Sequence, residues 1–208
     1  MKILPAILTD RREDLEQKIR QSETFTDLVQ IDIMDGQFVP SHSINAADLA
    51  SVKTHLELEV HLMVNRPEDY IESFVRAGAS RIVFHYEAAP NPLVVINCIK
   101  ANGKKAGIAL NPETPLAALI QLVPRLDFAL FLSVNPGFYG APFIPEVLDK
   151  VRSCRALKIP LELGTDGGIN ADTIVEAKQS GVDYVCVGSA IFRNDPAASY
   201  ARLRKLVE

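Results

Sequence analysis

Cysteine is scarce: Cys98, Cys154 and Cys186 are the only three, far apart and without a C-x-x-C pairing. That excludes a disulfide-stapled scaffold and a cysteine-rich zinc module, and it fits a reducing compartment. No apolar run approaches the roughly 18 residues needed to cross a bilayer. The opening MKILPAILTDRRED turns polar too soon to supply a signal-peptide core, so a cytoplasmic protein without membrane partners is expected. Charge of one sign is concentrated nowhere: 22 basic against 26 acidic residues leave a net −4, with no footprint for nucleic acid. Pro/Ser-rich linkers and low-complexity segments are also missing, and the 208 residues read as one domain, 1–208. A G-x-G-x-x-G turn after the first strand is absent, which counts against the main structural competitor, an open doubly wound sheet.

What the chain does contain is an alternation. Short apolar, β-branched runs recur roughly every 25 residues, at 3–8, 28–34, 58–64, 81–87, 105–110, 128–134, 160–166 and 184–190. Between them lie amphipathic segments with helix-start signals, such as RPEDYIESFVRAGA, TPLAALIQLV, IPEVLDKVRSCRAL and NADTIVEAKQSG, in which Asn170 can cap. Gly78, Gly103 and Gly181 close several of them. Each parallel crossover needs a helix to return the chain, so eight β-then-α units in a row predict an α/β fold closed into a (β/α)8 TIM barrel.

In such a barrel, chemistry gathers at the C-terminal ends of the strands. The late strand positions carry Asp32 and Asp35, His61, His85 with Glu87, Asn111, Ser133 and Asp166, while early positions are mostly aliphatic. Side chains two apart share a face. Gln30, Asp32 and Met34 therefore point one way on the second strand, as Glu59, His61 and Met63 do on the third. Two carboxylates and an imidazole can converge over the barrel mouth; the plainer alternative makes Asp32 and Asp166 turn caps and His61 a bonded core histidine. Gly137 and Gly140, Gly167 and Gly168, and Gly188 with Ser189 lie after strands six, seven and eight, where barrels commonly hold phosphate through backbone N–H groups.

The segments IDIMDGQFVP, VHLMV with RPEDYI, FHYEA, LNPETPL, SVNPGF, PFIPEVLDK, DGGIN and VGSAIF resemble, in order from about residue 3 to 193, the ribulose-phosphate 3-epimerase family. The resemblance implies inversion at C3 of a phosphorylated ketose such as ribulose 5-phosphate, xylulose 5-phosphate or a related phosphoketose. One carboxylate would remove the proton beside the ketone and a second would return it on the opposite face of an enediolate, with Asp32 and Asp166 in these roles. It also implies a divalent metal, typically Zn2+, on a set that here becomes Gln30, Asp32, His61 and Asp166, and a homo-oligomer, dimer or hexamer.

Gln30 stands where the family has a histidine. A neutral amide is a poorer zinc ligand, so Mg2+ or Mn2+, weak binding, or no tightly bound metal are the expectations. Further departures fall at Ala6, Ser41 with His42, Leu132, Ala141 and Gly164-Thr165, around the same region. Met34 and Met63 are expected to pack and to line the reacting centre. His85 is read as a hydrogen-bonded strand-end residue, His42 as either substrate-facing or solvated, and His55 as surface. Two other functions stay open. One is a phosphosugar decarboxylase or aldolase, against which Met34 occupies the place of the lysine such barrels resemble. The other is a sugar-phosphate-binding paralogue without turnover, against which a retained pair of like charges would be a liability.

Overall fold

A computed structural model describes residues 1–136 and 141–208 of the chain. Eight strands, β1 (Lys2–Ile7), β2 (Leu28–Met34), β3 (Glu57–Met63), β4 (Arg81–His85), β5 (Lys105–Leu110), β6 (Phe128–Leu132), β7 (Glu162–Asp166) and β8 (Tyr184–Val187), pair in parallel in sequence order. β8 returns to β1, with Pro5 opposite Val187, and closes the barrel. The outer ring is α1 (Arg12–Ser22), α2 (Ala46–Ala50), α3 (Ile71–Arg76), α4 (Pro92–Ala101), α5 (Ala117–Ile120), α6 (Leu148–Ala156), α7 (Ile174–Ser180), α8 (Ser189–Phe192) and α9 (Pro196–Val207). Among the described residues no helix is long and apolar enough to cross a membrane.

The period of two along each strand splits the core in two. Outward-facing Ile3, Ile7, Val29, Ile31, Val60 and Leu62 join Leu15 and Ile19 of α1 and Phe74 of α3 in the layer between barrel and helices. Inward-facing Leu4, Ala6, Val83, Ala109, Phe128, Leu130, Leu132, Tyr184 and Cys186 fill the interior. The packing is large against nothing: a Cβ on Gly107 would lie 2.2 Å from the Phe128 ring, and one on Gly164 2.2 Å from the Tyr184 ring. Below the mouth the Arg81 guanidinium lies 3.8 Å from the Phe128 ring centroid, 2.5 Å from Glu59 and 2.9 Å from Glu162. Burial pushes the Glu59 carboxyl up to about 7, the charge of Arg81 offsetting only part of that.

Four strands, β4, β6, β7 and β8, are shorter than their apolar runs. β4 stops at His85, where Tyr86–Ala88 form a 3-10 turn, and β8 stops at Val187, because Gly188 (φ −93°, ψ −88°) leaves extended geometry and starts α8. TPLAALIQLV yields only the single turn of α5 and then a 3-10 turn at Val123–Arg125, whose Pro124 cannot donate to a continuing helix. Asn170 does not cap α7 directly: its Oδ1 accepts from the Asp172 N–H in the turn ahead of the helix.

Gly164→Ala forces a methyl into the fixed ring of Tyr184. It is expected to cost about 1–3 kcal/mol of stability by overpacking, read as a lower urea midpoint at unchanged m-value; an unchanged midpoint would show that the interior is looser than described.

Candidate active site

Parallel register brings the polar strand ends together. Ala6 of β1 stands opposite Gln30 of β2, Asp32 opposite His61 of β3, and Leu132 of β6 opposite Asp166 of β7. Asp32, His61 and Asp166 face a cavity of about 400 Å3 at the C-terminal mouth. They are sequence-distant residues set at one height by the barrel's stagger.

Gln30 is fully buried and ties the two carboxylates together. Its Nε2 donates to Asp32 Oδ1 at 2.9 Å and to Asp166 Oδ2 at 2.7 Å, while its Oε1 accepts from the Cys186 thiol at 2.9 Å. His61 Nδ1 lies 3.1 Å from Asp32 Oδ1 and 3.5 Å from Asp166 Oδ2. Burial raises the Asp32 carboxyl above the usual range and the neighbouring Asp166 charge adds to it, against the hydrogen bonds from His61 and Gln30. Burial alone would hold the His61 imidazole neutral, but hydrogen bonds and charge from Asp166 and Asp32 outweigh it and raise it to about 9. Burial lifts the Cys186 thiol well above its ordinary value, so it remains a neutral donor.

Asp32, His61 and Asp166 each offer one ligand atom within 4.8 Å of the others, a donor set that fits a divalent cation. Gln30, the neutral amide in the expected ligand set, is placed here as a hydrogen-bond donor. Oriented by Cys186, it turns an N–H donor toward the carboxylates, and an amide nitrogen has no lone pair for a metal.

The cavity walls are mostly apolar. Met34 and Met63 line the cavity, as do Leu132 and Val134. Met34 and Met63 also pack with Val39, Leu8 and Phe38. The altered positions Ala6, Leu132 and Ala141 all lie on this cavity, whereas Ser41, His42, Gly164 and Thr165 are not among its lining residues. Gly167, Gly168, Gly188 and Ser189 line it from the β7 and β8 ends, together with Asn170 and Arg193. Gly167 (φ 108°) and Gly168 (φ 68°) adopt left-handed backbone, and a Cβ would lie 2.4 Å from Val134 and 2.8 Å from Phe143. Gly137 and Gly140 fall outside the described residues.

Several other polar residues hold the frame. Asp35 accepts from the N–H groups of Gln37, Phe38 and Asn65. Ser133 Oγ donates to Gly167 O at 2.7 Å, pinning the end of β7. His42 is exposed, its ring against Gly36, and His55 is exposed beside Glu23 at 3.6 Å. Cys186 carries no mark in the sequence beyond an apolar strand, and Arg193 stands directly after VGSAIF, so neither is legible as a site residue from residue pattern.

Comparison with known proteins decides the family. The model described as "Ribulose-phosphate 3 epimerase family" matches residues 2–192. The chain belongs to that family. Relatives named ribulose-phosphate 3-epimerase include that of Mycobacterium bovis, 41% identical over 86% of this chain and 81% of its own length, and that of Bacillus subtilis, 36% identical over 92% of each. A cytoplasmic isoform from Oryza sativa subsp. japonica is 37% identical over 100% of this chain and 94% of its own. The crystal structure of a 3-hexulose-6-phosphate synthase superposes with TM-score 0.77 at 17% identity, covering 100% of both chains, a likeness of fold alone. Family membership supports an isomerase that epimerises a phosphorylated sugar, with a role in pentose phosphate metabolism following from the family.

The charge state has a consequence for stability. His61 and Asp32 both hold a proton more tightly folded than unfolded. Their contribution is therefore complete at low pH and is lost as pH rises through the folded values. For His61 that window runs from 6.5 to about 9. Metal-free protein is expected to lose thermal stability across it, and His61→Gln to flatten the profile; a wild-type midpoint constant from pH 6.5 to 9 would refute the raised imidazole.

Proposed function

We propose that the chain inverts C3 of a phosphorylated ketose, ribulose 5-phosphate/xylulose 5-phosphate or a related phosphoketose, with Asp32 and Asp166 as the two acid/base groups. The observation that carries this is their convergence from β2 and β7 on one small cavity, bridged by Gln30 at 2.9 and 2.7 Å. A planar enediolate needs a proton removed on one face and returned on the other. Burial, with the Asp166 charge adding to it, raises the Asp32 carboxyl, which favours Asp32 as the donor in the direction where Asp166 abstracts; for the opposite epimer the roles exchange.

His61 Nδ1 and the Gln30 amide hold both carboxylates in place during the exchange. Met34 and Met63 exclude water from the reacting carbon. Gly167, Gly168, Gly188 and Ser189, joined by the undescribed Gly137 and Gly140, are proposed to hold the phosphate through backbone N–H groups. A divalent cation on Asp32, His61 and Asp166, Zn2+ by family or Mg2+ or Mn2+, would supply positive charge to the developing enediolate oxygens. We place the activity in the cytoplasm, in one domain spanning 1–208 that works as a homo-oligomer, dimer or hexamer. The exposed apolar Leu93 (43%) and Val94 (52%) on α4 support association of copies.

A second reading, sugar-phosphate binding without turnover, is favoured by one observation: Gln30 already satisfies both carboxylates. Solvent deuterium incorporation at C3 of several phosphoketoses, with added metal and with chelator, separates the two. Exchange with inversion is expected, and binding without exchange would establish the second reading. Asp32→Asn and Asp166→Asn are each expected to lower turnover by about 10²–10⁴-fold; full turnover in either would end the two-carboxylate mechanism.

Gln30→His replaces an N–H donor with an imidazole and is expected to tighten zinc binding, measured by competition with a chelating dye. Unchanged affinity would show that Gln30 does not border the cation site.

A further inference from the structure

His61 is tied on both sides. Its Nε2 lies 3.0 Å from Nε2 of His85, the rings stacked with centroids 5.1 Å apart. His85 Nδ1 lies 3.4 Å from Glu87 Oε2, while Glu87 Oε1 accepts the Asn111 N–H at 2.9 Å and the Thr114 hydroxyl. Both histidines are fully buried, and Phe38 closes over His85 with centroids 4.9 Å apart. The loop after β5 that carries Asn111 and Thr114 is itself clamped: Lys150 Nζ donates to the carbonyls of Asn111, Pro112 and Thr114 at 3.1, 2.7 and 2.6 Å.

His85 Nδ1 makes no aligned hydrogen bond and faces Glu87 Oε2 at ion-pair distance; one proton order suits that contact and every hydrogen bond of the chain. An ionised carboxylate only accepts, so His85 Nδ1 carries the N–H that faces Glu87. Neutral His85 then presents Nε2 as an acceptor, and the His61 Nε2 opposite it must be the donor. The only His61 nitrogen left to exchange its proton is Nδ1, between Asp32 and Asp166.

We infer that Glu87 and His85 are positioning residues that reserve Nε2 of His61 for a proton, so that Nδ1 alone is offered to the two carboxylates and to a divalent cation held with them. The loop after β5 belongs to the device. By occupying one oxygen of Glu87, Asn111 and Thr114 leave the other for His85. The inference rests on the metal-site reading given above, not on turnover. Metal-ligating histidines commonly have their second nitrogen fixed in this way, and removing such a partner costs about 10–100-fold in metal affinity.

The test uses the full chain labelled with 15N-histidine, titrated with Zn2+ and followed by long-range 1H–15N NMR alongside zinc affinity. Wild type is expected to keep a proton on His61 Nε2 and to take zinc at Nδ1. In the isosteric Glu87→Gln the amide oxygen stays with the Asn111 N–H and the Thr114 hydroxyl, turning an NH2 toward His85. The proton order reverses, the His61 Nε2 proton is lost, and zinc affinity falls about 10–100-fold. His85→Gln, whose amide oxygen can accept the same N–H, is expected to retain the Nε2 proton.

Wild type with zinc at Nε2, or Glu87→Gln with the Nε2 proton and zinc affinity intact, overturns the inference. The wild-type spectrum decides even if a variant fails to fold, and if zinc does not bind, the protonation of Nε2 in the metal-free protein is the deciding readout. If no phosphoketose is epimerised while the NMR pattern holds, the epimerase reading falls and the positioning chain stands; turnover without that pattern gives the reverse.

Discussion

Two carboxylates that share a buried pocket repel one another and resist leaving water, and this barrel is organised around keeping that pair in place. Asp32 retains only 8% exposure. An uncompensated charge there would cost several kcal/mol. Compensation comes from an amide and an imidazole, each reaching both acids. The amide is oriented by a thiol from β8 and the imidazole by a second histidine from β4. Four strands therefore converge on the position of two oxygens, and none of these side chains is free to turn alone. Rigidity of that kind is what the proposed proton transfer between fixed faces of a planar intermediate would require.

The same economy of charge extends below the site. Arg81 sits among Glu59, Glu162 and the faces of Phe128 and Tyr184, so the interior carries a second compensated cluster one level down. An aliphatic interior would be no less stable, since buried ion pairs rarely gain on hydrophobic packing. What the pair contributes is a defined charge beneath Gln30 and His61, with the glycines of β5 and β7 making room for the rings that shield it. Above the site the walls are apolar, and Ala6, Leu132 and Ala141 extend that character in this member of the family. The cavity thus has a charged floor, apolar sides and a backbone-lined edge at β7 and β8, which matches a small ligand with one reactive carbon and one anionic end.

Much of this was legible before any coordinates. The strand period of two picked out Ile31 against Asp32 and Leu62 against His61, because a side chain in a parallel strand has only two directions to point. Barrel closure then follows from eight repeats, and the mouth from the direction of the strands. Less legible were the ends of elements. β8 and the helix after it share one apolar run, and only the backbone at Gly188 separates them. Gln30 was visible as a departure from its family, but as a weak ligand rather than as a hydrogen-bond bridge.

The sequence by itself determined the alternation, the inward or outward sense of each strand residue and the presence of two acids and an imidazole at strand ends, since these depend only on local geometry and residue chemistry. Tertiary structure alone decided that Gln30 turns its nitrogen to Asp32 and Asp166, that Cys186 holds it there, and that His61 leans on His85 and Glu87. Those choices turn on register between strands as much as 156 residues apart. Hydrogen-bond direction is a property of the assembled partners, and no single strand contains it.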